Sequence, residues 1–293
     1  MLITIAEHAG ECFGVSSALA RAQEILNMPH REHLYSYGAL IHNPRIVKHY
    51  ADMGLLPITE ADFGKLSAHD YVLIRSHGAP QHILHMIRRS GATIVDATCP
   101  HVARVQRAAQ DLLNEGYNVA VVGDASHPEV AGIVGSAPGA RVISSKEDID
   151  DSFNGVRVGL VSQTTQPQQV FDALCDALSQ RTHTLKVVNT ICPATSLCQK
   201  DIAELSLKSD AIVIIGGKNS ANTKHLVEIA SQSTKTYHIE DASELESSWF
   251  APHMKVGIGA GTSTPHEHIV VVKARLMSFD TAFHKGIKAK GGA

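Results

Sequence analysis

Aromatic residues are few in this chain: 5% of 293 residues, with a single tryptophan. A charge excess is lacking too, since 26 Lys+Arg stand against 29 Asp+Glu for a formal net charge of −3. That balance excludes a protein that grips nucleic-acid phosphates through a basic surplus. No apolar stretch reaches the roughly 18 residues a membrane span needs. The N-terminal apolar run is interrupted by Glu7 and His8 and has no basic segment before it, so it does not read as a secretory signal. Cysteines number five, an odd count in no disulfide-like framework, which fits a reducing compartment and predicts a cytoplasmic protein. Low-complexity tracts are absent, and 44% hydrophobic against 19% charged residues is enough for a large buried core.

Three of the cysteines, Cys12, Cys99 and Cys192, are spaced at 87 and 93 residues, each opening a block with two further polar loops at matching offsets. From Cys12 the loops fall at His42 and His77, from Cys99 at His127 and Thr164, and from Cys192 at Ser220 and Ser263. The first offset is 28 to 30 residues and the second 65 to 71. A period this long is a small subdomain and not a solenoid unit, which runs roughly 20 to 50 residues.

The loops recur because each follows a short apolar run and precedes a helix-like segment. Leu2–Ala6 leads to Cys12, Asp70–Ile74 to His77, Asn118–Val122 to His127, Val156–Val161 to Thr164, Ala211–Ile215 to Ser220, and Val256–Ile258 to Ser263. Continuous β-branched runs predict strands buried on both faces, as in parallel sheets covered by helices, and polar groups at their carboxyl ends lie where such sheets bind ligands. The fold class is therefore α/β: three pseudo-repeated α/β subdomains, 1–97, 98–190 and 191–293, arranged as a trefoil with nine loops converging on one central site. The segment from His284 lacks apolar periodicity and is expected to be a flexible tail.

The three loop cysteines sit among breakers, as in Gly10-Glu11-Cys12-Phe13-Gly14, Thr98-Cys99-Pro100 and Ile191-Cys192-Pro193. Three thiolates without a fourth suit a metal centre with one position open, either an iron-sulfur cluster or zinc. Cys175, among Val170, Phe171, Leu174 and Leu178, reads as core, and Cys198 is undecided. His42, His77 and His127, together with the loops Lys218-Asn219-Ser220-Ala221-Asn222 and Gly261-Thr262-Ser263, offer imidazoles, hydroxyls and backbone N–H groups at helix N-termini. This is an anion site, most simply for phosphate or diphosphate. Glu129, two residues past His127, is a candidate proton donor, and Thr164 a candidate to orient a hydroxyl or relay a proton.

Taken in order, Gly10–Val15, Asp96–Pro100, His127–Val130, Gln163–Thr165, Ile191–Thr195 and Gly217–Ser220 closely resemble the 4-hydroxy-3-methylbut-2-enyl diphosphate reductase family over nearly the whole chain. The resemblance implies a 4Fe-4S cluster held by Cys12, Cys99 and Cys192 with the fourth iron open to substrate. It implies a diphosphate site of His42, His77, His127, Ser220, Asn222 and Ser263, with Glu129 and Thr164 handling protons. The reaction implied is a two-electron reductive dehydroxylation giving isopentenyl and dimethylallyl diphosphates, the last step of the methylerythritol phosphate route, with electrons from ferredoxin or flavodoxin. Three positions depart from the family pattern: Ala221 replaces a diphosphate-binding serine and keeps only its backbone N–H, Cys198 replaces an arginine, and His225 replaces a basic residue.

Overall fold

The structure, a computed structural model, describes residues 1–28 and 33–290, with side chains as far as Thr281. The chain opens with β1 (Leu2–Ile5) and α1 (Phe13–Leu26). A first run of strands follows, β2 (His33–Tyr37), β3 (Leu55–Ile58), β4 (Asp70–Ile74) and β5 (Thr93–Asp96), with α2 (Pro44–Asp52) after β2 and α3 (Gln81–Arg89) after β4. Next come α4 (Pro100–Asn114), β6 (Asn118–Val122), α5 (Pro128–Ser136), β7 (Arg141–Ile143), β8 (Arg157–Ser162), α6 (Gln168–Ser179) and β9 (Thr184–Val187). The last part holds α7 (Pro193–Ser206), β10 (Ala211–Ile215), α8 (Ala221–Ser231), β11 (Lys235–Ile239), β12 (Lys255–Ala260) and α9 (His266–Lys290).

These strands make three four-stranded sheets, ordered β3-β2-β4-β5, β7-β6-β8-β9 and β11-β10-β12-β1, and every pairing is parallel. The order repeats, so the predicted threefold α/β architecture is present. Its boundaries differ from the predicted ones at the N-terminus. β1 pairs with β12 in the register Leu2↔Lys255 to Ile5↔Ile258, so residues placed in a 1–97 subdomain complete the last sheet instead. Counting blocks from Cys12 assigned the preceding strand to the block that follows it, whereas parallel pairing has no need of sequence proximity. The chain accordingly divides into two compact units, residues 13–192 and residues 1–12 with 193–293.

Period-2 alternation positions the cores. In β10, Val213 and Ile215 face α9 residues Ile269, Val272 and Leu276, while Ile212 and Ile214 face Ile202 and Leu226 on the other side. In β6, Ala120 and Val122 pack with Phe171 and Leu174 of α6, and Val119 and Val121 with Val105 and Ala109 of α4. Burial on both faces is what a parallel sheet between helices requires. Close packing is set by glycine at one strand position: a Cβ on Gly259 would come within 2.3 Å of Ile202 on α7. The segment from His284, expected to be a flexible tail, lies in α9 up to Lys290, and 291–293 fall outside the described residues. Among the described residues no helix is long and apolar enough to cross a membrane.

Candidate functional site

The fourth strand of every sheet, β5, β9 or β1, leads into one of the three loop cysteines. Each cysteine's backbone N–H is then tied to the loop after the third strand of the same sheet. Cys99 donates to the Ser76 carbonyl at 2.9 Å, Cys192 to Thr164 at 2.9 Å and Cys12 to Thr262 at 3.2 Å. Cys99 caps α4, with Pro100 at the first helical position, where a missing N–H costs nothing. Cys192 is buried and the other two are half-buried, and no cysteine is in a disulfide.

Within the unit of residues 13–192 the loops after β2, β4 and β6 bring the three histidines together. Ring centroids are 4.5 Å apart for His42 and His77, 5.2 Å for His42 and His127, and 5.3 Å for His77 and His127. His127 caps α5, its Nδ1 accepting the Glu129 backbone N–H at 3.2 Å, which in the neutral ring leaves the proton on Nε2. That Nε2 faces His42 Nε2 at 3.2 Å, so His127 donates and His42 accepts. Burial, then His42, Arg75 and His127, holds His77 well below the ordinary imidazole range. His77 is therefore neutral at pH 7, and its Nδ1 is buried with no hydrogen-bond partner among the described residues. A buried imidazole with an unused ring nitrogen suits an incoming anion, whose charge would favour its protonation.

Glu129 is almost wholly buried in the first turn of α5. The Thr164 backbone N–H donates to its Oε1 at 2.7 Å and the Thr164 Oγ1 hydroxyl to its Oε2 at 2.9 Å. Burial outweighs these two bonds and pushes the carboxyl from its ordinary 4.5 up to about 7. The folded chain thus keeps a proton that the unfolded chain releases between those pH values, and stability falls as pH rises through that window. Glu129→Gln removes the dependence. Relative to the unsubstituted protein it is expected to gain up to about 3 kcal/mol between pH 5 and pH 8, measured as denaturation midpoints at both pH values under anaerobic conditions. Parallel pH profiles for the two proteins would mean that the carboxyl is solvated.

In the unit of residues 1–12 and 193–293, Ser220 caps α8 and its hydroxyl accepts the Thr223 N–H at 3.3 Å. Ala221 and Asn222 open α8, so their amides lack intrahelical acceptors. Asn222 is buried, and neither its Oδ1 nor its Nδ2 has a partner among the described residues. Ser263 is half-buried in the turn after β12, closed by the Thr264 N–H donating to Gly261 at 2.9 Å. Lys218, on the same loop as Ser220, is paired with Glu244 at 3.1 Å.

Cys198 is settled by its surroundings. It is buried with Ala6, Ile202 and Ile214, its Sγ is 3.6 Å from the Ala260 carbonyl, and burial, then Asp201 and Cys12, pushes its thiol up to about 12. Such a thiol stays protonated and unreactive. Cys175 packs with Phe171 and Leu174, as its helical company predicts. His225 pairs with Glu228 at 3.1 Å.

Two glutamines here were not among the predicted site residues. Gln163, beside Thr164, accepts the Asp124 N–H at 3.0 Å and buries an Nε2 without a partner among the described residues. Gln106 of α4 fills the space where a Cβ on Gly78 or Gly132 would sit, 2.7 and 2.6 Å from its Nε2. A lone glutamine on an amphipathic helix reads as solvent-facing until its neighbours are known. Of the predicted site residues, His42, His77, His127, Glu129, Thr164, Cys99 and Cys192 lie in the first unit, and Cys12, Ser220, Ala221, Asn222 and Ser263 in the second.

Comparison with known proteins matches residues 3–277 to the family model described as LytB protein. A 4-hydroxy-3-methylbut-2-enyl diphosphate reductase of Aquifex aeolicus is 41% identical over 279 residues, 94% of this chain and 95% of that protein. The enzyme of the same name from Geobacter sulfurreducens is 39% identical over 96% of this chain and 98% of its own length. Among solved structures, one of (E)-4-hydroxy-3-methyl-but-2-enyl diphosphate reductase, the terminal enzyme of the non-mevalonate pathway, superposes with a TM-score of 0.70 at 40% identity, covering 95% of this chain and all of that one. The structure of a reductase from Plasmodium falciparum superposes with a TM-score of 0.84 over 91% of this chain and 85% of that one, and at 22% identity it speaks for the fold alone.

Proposed function

Because the chain belongs to the LytB family, we propose that it removes the hydroxyl of 4-hydroxy-3-methylbut-2-enyl diphosphate reductively, giving isopentenyl and dimethylallyl diphosphates. The C–O bond breaks, two electrons and two protons enter, and the oxygen leaves as water. The observation that carries this reading is a run of contacts in one unit, Cys192 to Thr164 to Glu129 to His127 to His42. It links the backbone of a loop cysteine, a carboxyl titrating near neutrality and two imidazoles.

Cys12, Cys99 and Cys192 would hold a 4Fe-4S cluster, one per chain, with the fourth iron left for substrate. The donor set fits: three thiols outside any disulfide, each in the loop that follows the fourth strand of its sheet and each with its amide already satisfied by a carbonyl. When bound, the cluster supplies electrons one at a time, received from ferredoxin or flavodoxin, together with Lewis acidity at the substrate oxygen. The protein's own part is binding, orientation and proton delivery. His42, His77 and His127 would donate to diphosphate oxygens, joined by the Ser220 and Ser263 hydroxyls, the Asn222 amide and the Ala221 backbone N–H at the start of α8. The buried Asn222 amide and His77 Nδ1 have no hydrogen-bond partner among the described residues, a capacity that a bound diphosphate would use. Glu129, at about 7, is protonated in about half the molecules at neutral pH; at 4.5 the fraction would be roughly 1 in 300. Its proton would go to the departing hydroxyl, with Thr164 holding the carboxyl in place and orienting the same hydroxyl.

The test is anaerobic turnover of the diphosphate alcohol with a one-electron reductant. Both prenyl diphosphates are expected, and an intact cluster that yields neither would overturn the reading. Binding is expected to depend on the diphosphate, so inorganic diphosphate should compete with substrate and the alcohol without phosphates should bind at least about 100-fold more weakly. Ala221→Ser restores one donor and should leave affinity unchanged or tighten it several-fold, the worth of roughly 1 kcal/mol. A large loss of affinity in that variant would mean that the loop is packed to exclude a hydroxyl.

A further inference from the structure

Within the unit of residues 13–192, a cavity of about 470 Å³ opens between the loop after β4 and helix α5. A neighbouring hollow of about 360 Å³ shares Tyr37, Glu60 and Arg75 with it. None of His42, His77, His127 or Glu129 lines either one. The cavity is two-faced: Pro80, Pro128, Val130 and Val134 make an apolar wall, and Arg75 with Tyr37 forms the polar end.

Arg75 is the unusual member. Its guanidinium is mostly buried and its Nε is sealed off without a partner. Among the described residues the guanidinium makes no hydrogen bond or ion pair, and its carbon lies 5.8 Å from the centre of the Tyr37 ring. Glu60, the carboxylate on the same wall, accepts from the Tyr37 hydroxyl at 3.5 Å. The backbone makes room for this cation: Gly38 has φ +71°, and a Cβ there would lie 2.5 Å from Arg75 Nη1. A desolvated cation without a counter-ion destabilises the fold, and a bound anion relieves that cost. The planar guanidinium matches phosphate oxygens in pairs, and a pocket of this volume holds a small molecule with its apolar part enclosed.

We propose that this cavity is a second binding site, specific for an amphiphilic phosphate ester whose head meets Arg75 and whose short hydrocarbon chain lies along Pro80, Val130 and Val134. Octyl phosphate is a suitable probe, titrated calorimetrically into the anaerobic holoprotein with inorganic diphosphate saturating the histidine site. One molecule per chain should bind, at least tenfold more tightly than inorganic phosphate or octanol alone. Arg75→Met should weaken binding at least tenfold and Arg75→Lys less. Val134→Phe should also weaken it, by filling the apolar part while the cation stays; cluster absorption and helical content report that each variant is folded. The site is refuted if inorganic diphosphate abolishes octyl phosphate binding, if the probe binds no better than its separate halves, or if Arg75→Met and Val134→Phe both bind as the unsubstituted protein does.

Discussion

Glu129→Gln should keep its cluster and bind the diphosphate alcohol, yet turn over at least about 10²-fold more slowly, the usual scale of general acid catalysis. The amide matches the carboxyl in shape: its oxygen can accept the Thr164 backbone N–H, and its NH2 can donate to Thr164 Oγ1, which then accepts instead of donating, so the loop should stay in place. What it loses is a deliverable proton. Electronic spectra of the oxidised variant should still change on adding substrate, because binding at the centre does not need that proton. Rates are measured under anaerobic single-turnover and steady-state conditions. Near-normal turnover would move the acid role to a histidine or to the substrate's own diphosphate. Thr164→Val is the companion variant: its backbone N–H still reaches Oε1, so its defect should be smaller than that of Glu129→Gln.

The second large effect belongs to the cysteines. Serine at Cys12, Cys99 or Cys192 should remove most of the iron and the visible absorption, since three soft ligands become two and a hydroxyl at pH 7 is a poor substitute. Cys175→Ser should retain both. Cys198→Ser should retain them too, though its hydroxyl would replace a thiol in a sealed core beside Ile202 and Ile214, and a lower denaturation midpoint is expected. Iron and sulfide analysis of anaerobically purified protein decides the matter, and full iron content in Cys99→Ser would refute the ligand assignment.

Three central strands were legible in the sequence because they are almost wholly buried. β4, β6 and β10 begin and end where the apolar runs Asp70–Ile74, Asn118–Val122 and Ala211–Ile215 do. Other strands were not legible. β5 and β9 are four residues long with exposed ends, and β2 carries His33, Ser36 and two tyrosines, so neither continuous hydrophobicity nor clean alternation marks them. The candidate site was visible as spacing, since identical topology puts equivalent loops at equal offsets. Its energetics were not: that Glu129 titrates near 7 depends on burial by residues far away in sequence, and the unpaired Arg75 looks like any surface arginine until Gly38 and Tyr37 are seen beside it.

The pairing of β1 with β12 has a consequence for synthesis. Leu2 and its partner Lys255 are more than 250 residues apart, so the strand that ends in the Cys12 loop leaves the ribosome first and finds its sheet last. At 5 to 20 residues per second, that wait is roughly 10 to 50 s. The Cys99 and Cys192 loops, anchored to Ser76 and Thr164 within residues 13–192, have their scaffold much earlier. Once residues 1–200 are clear of the ribosome, a nascent chain would therefore have the Cys99 and Cys192 loops on their scaffold and Cys12 after an unpaired strand. Until β12 has been made, Leu2–Ile5 is a strand without its partner, with backbone groups open to other pairing.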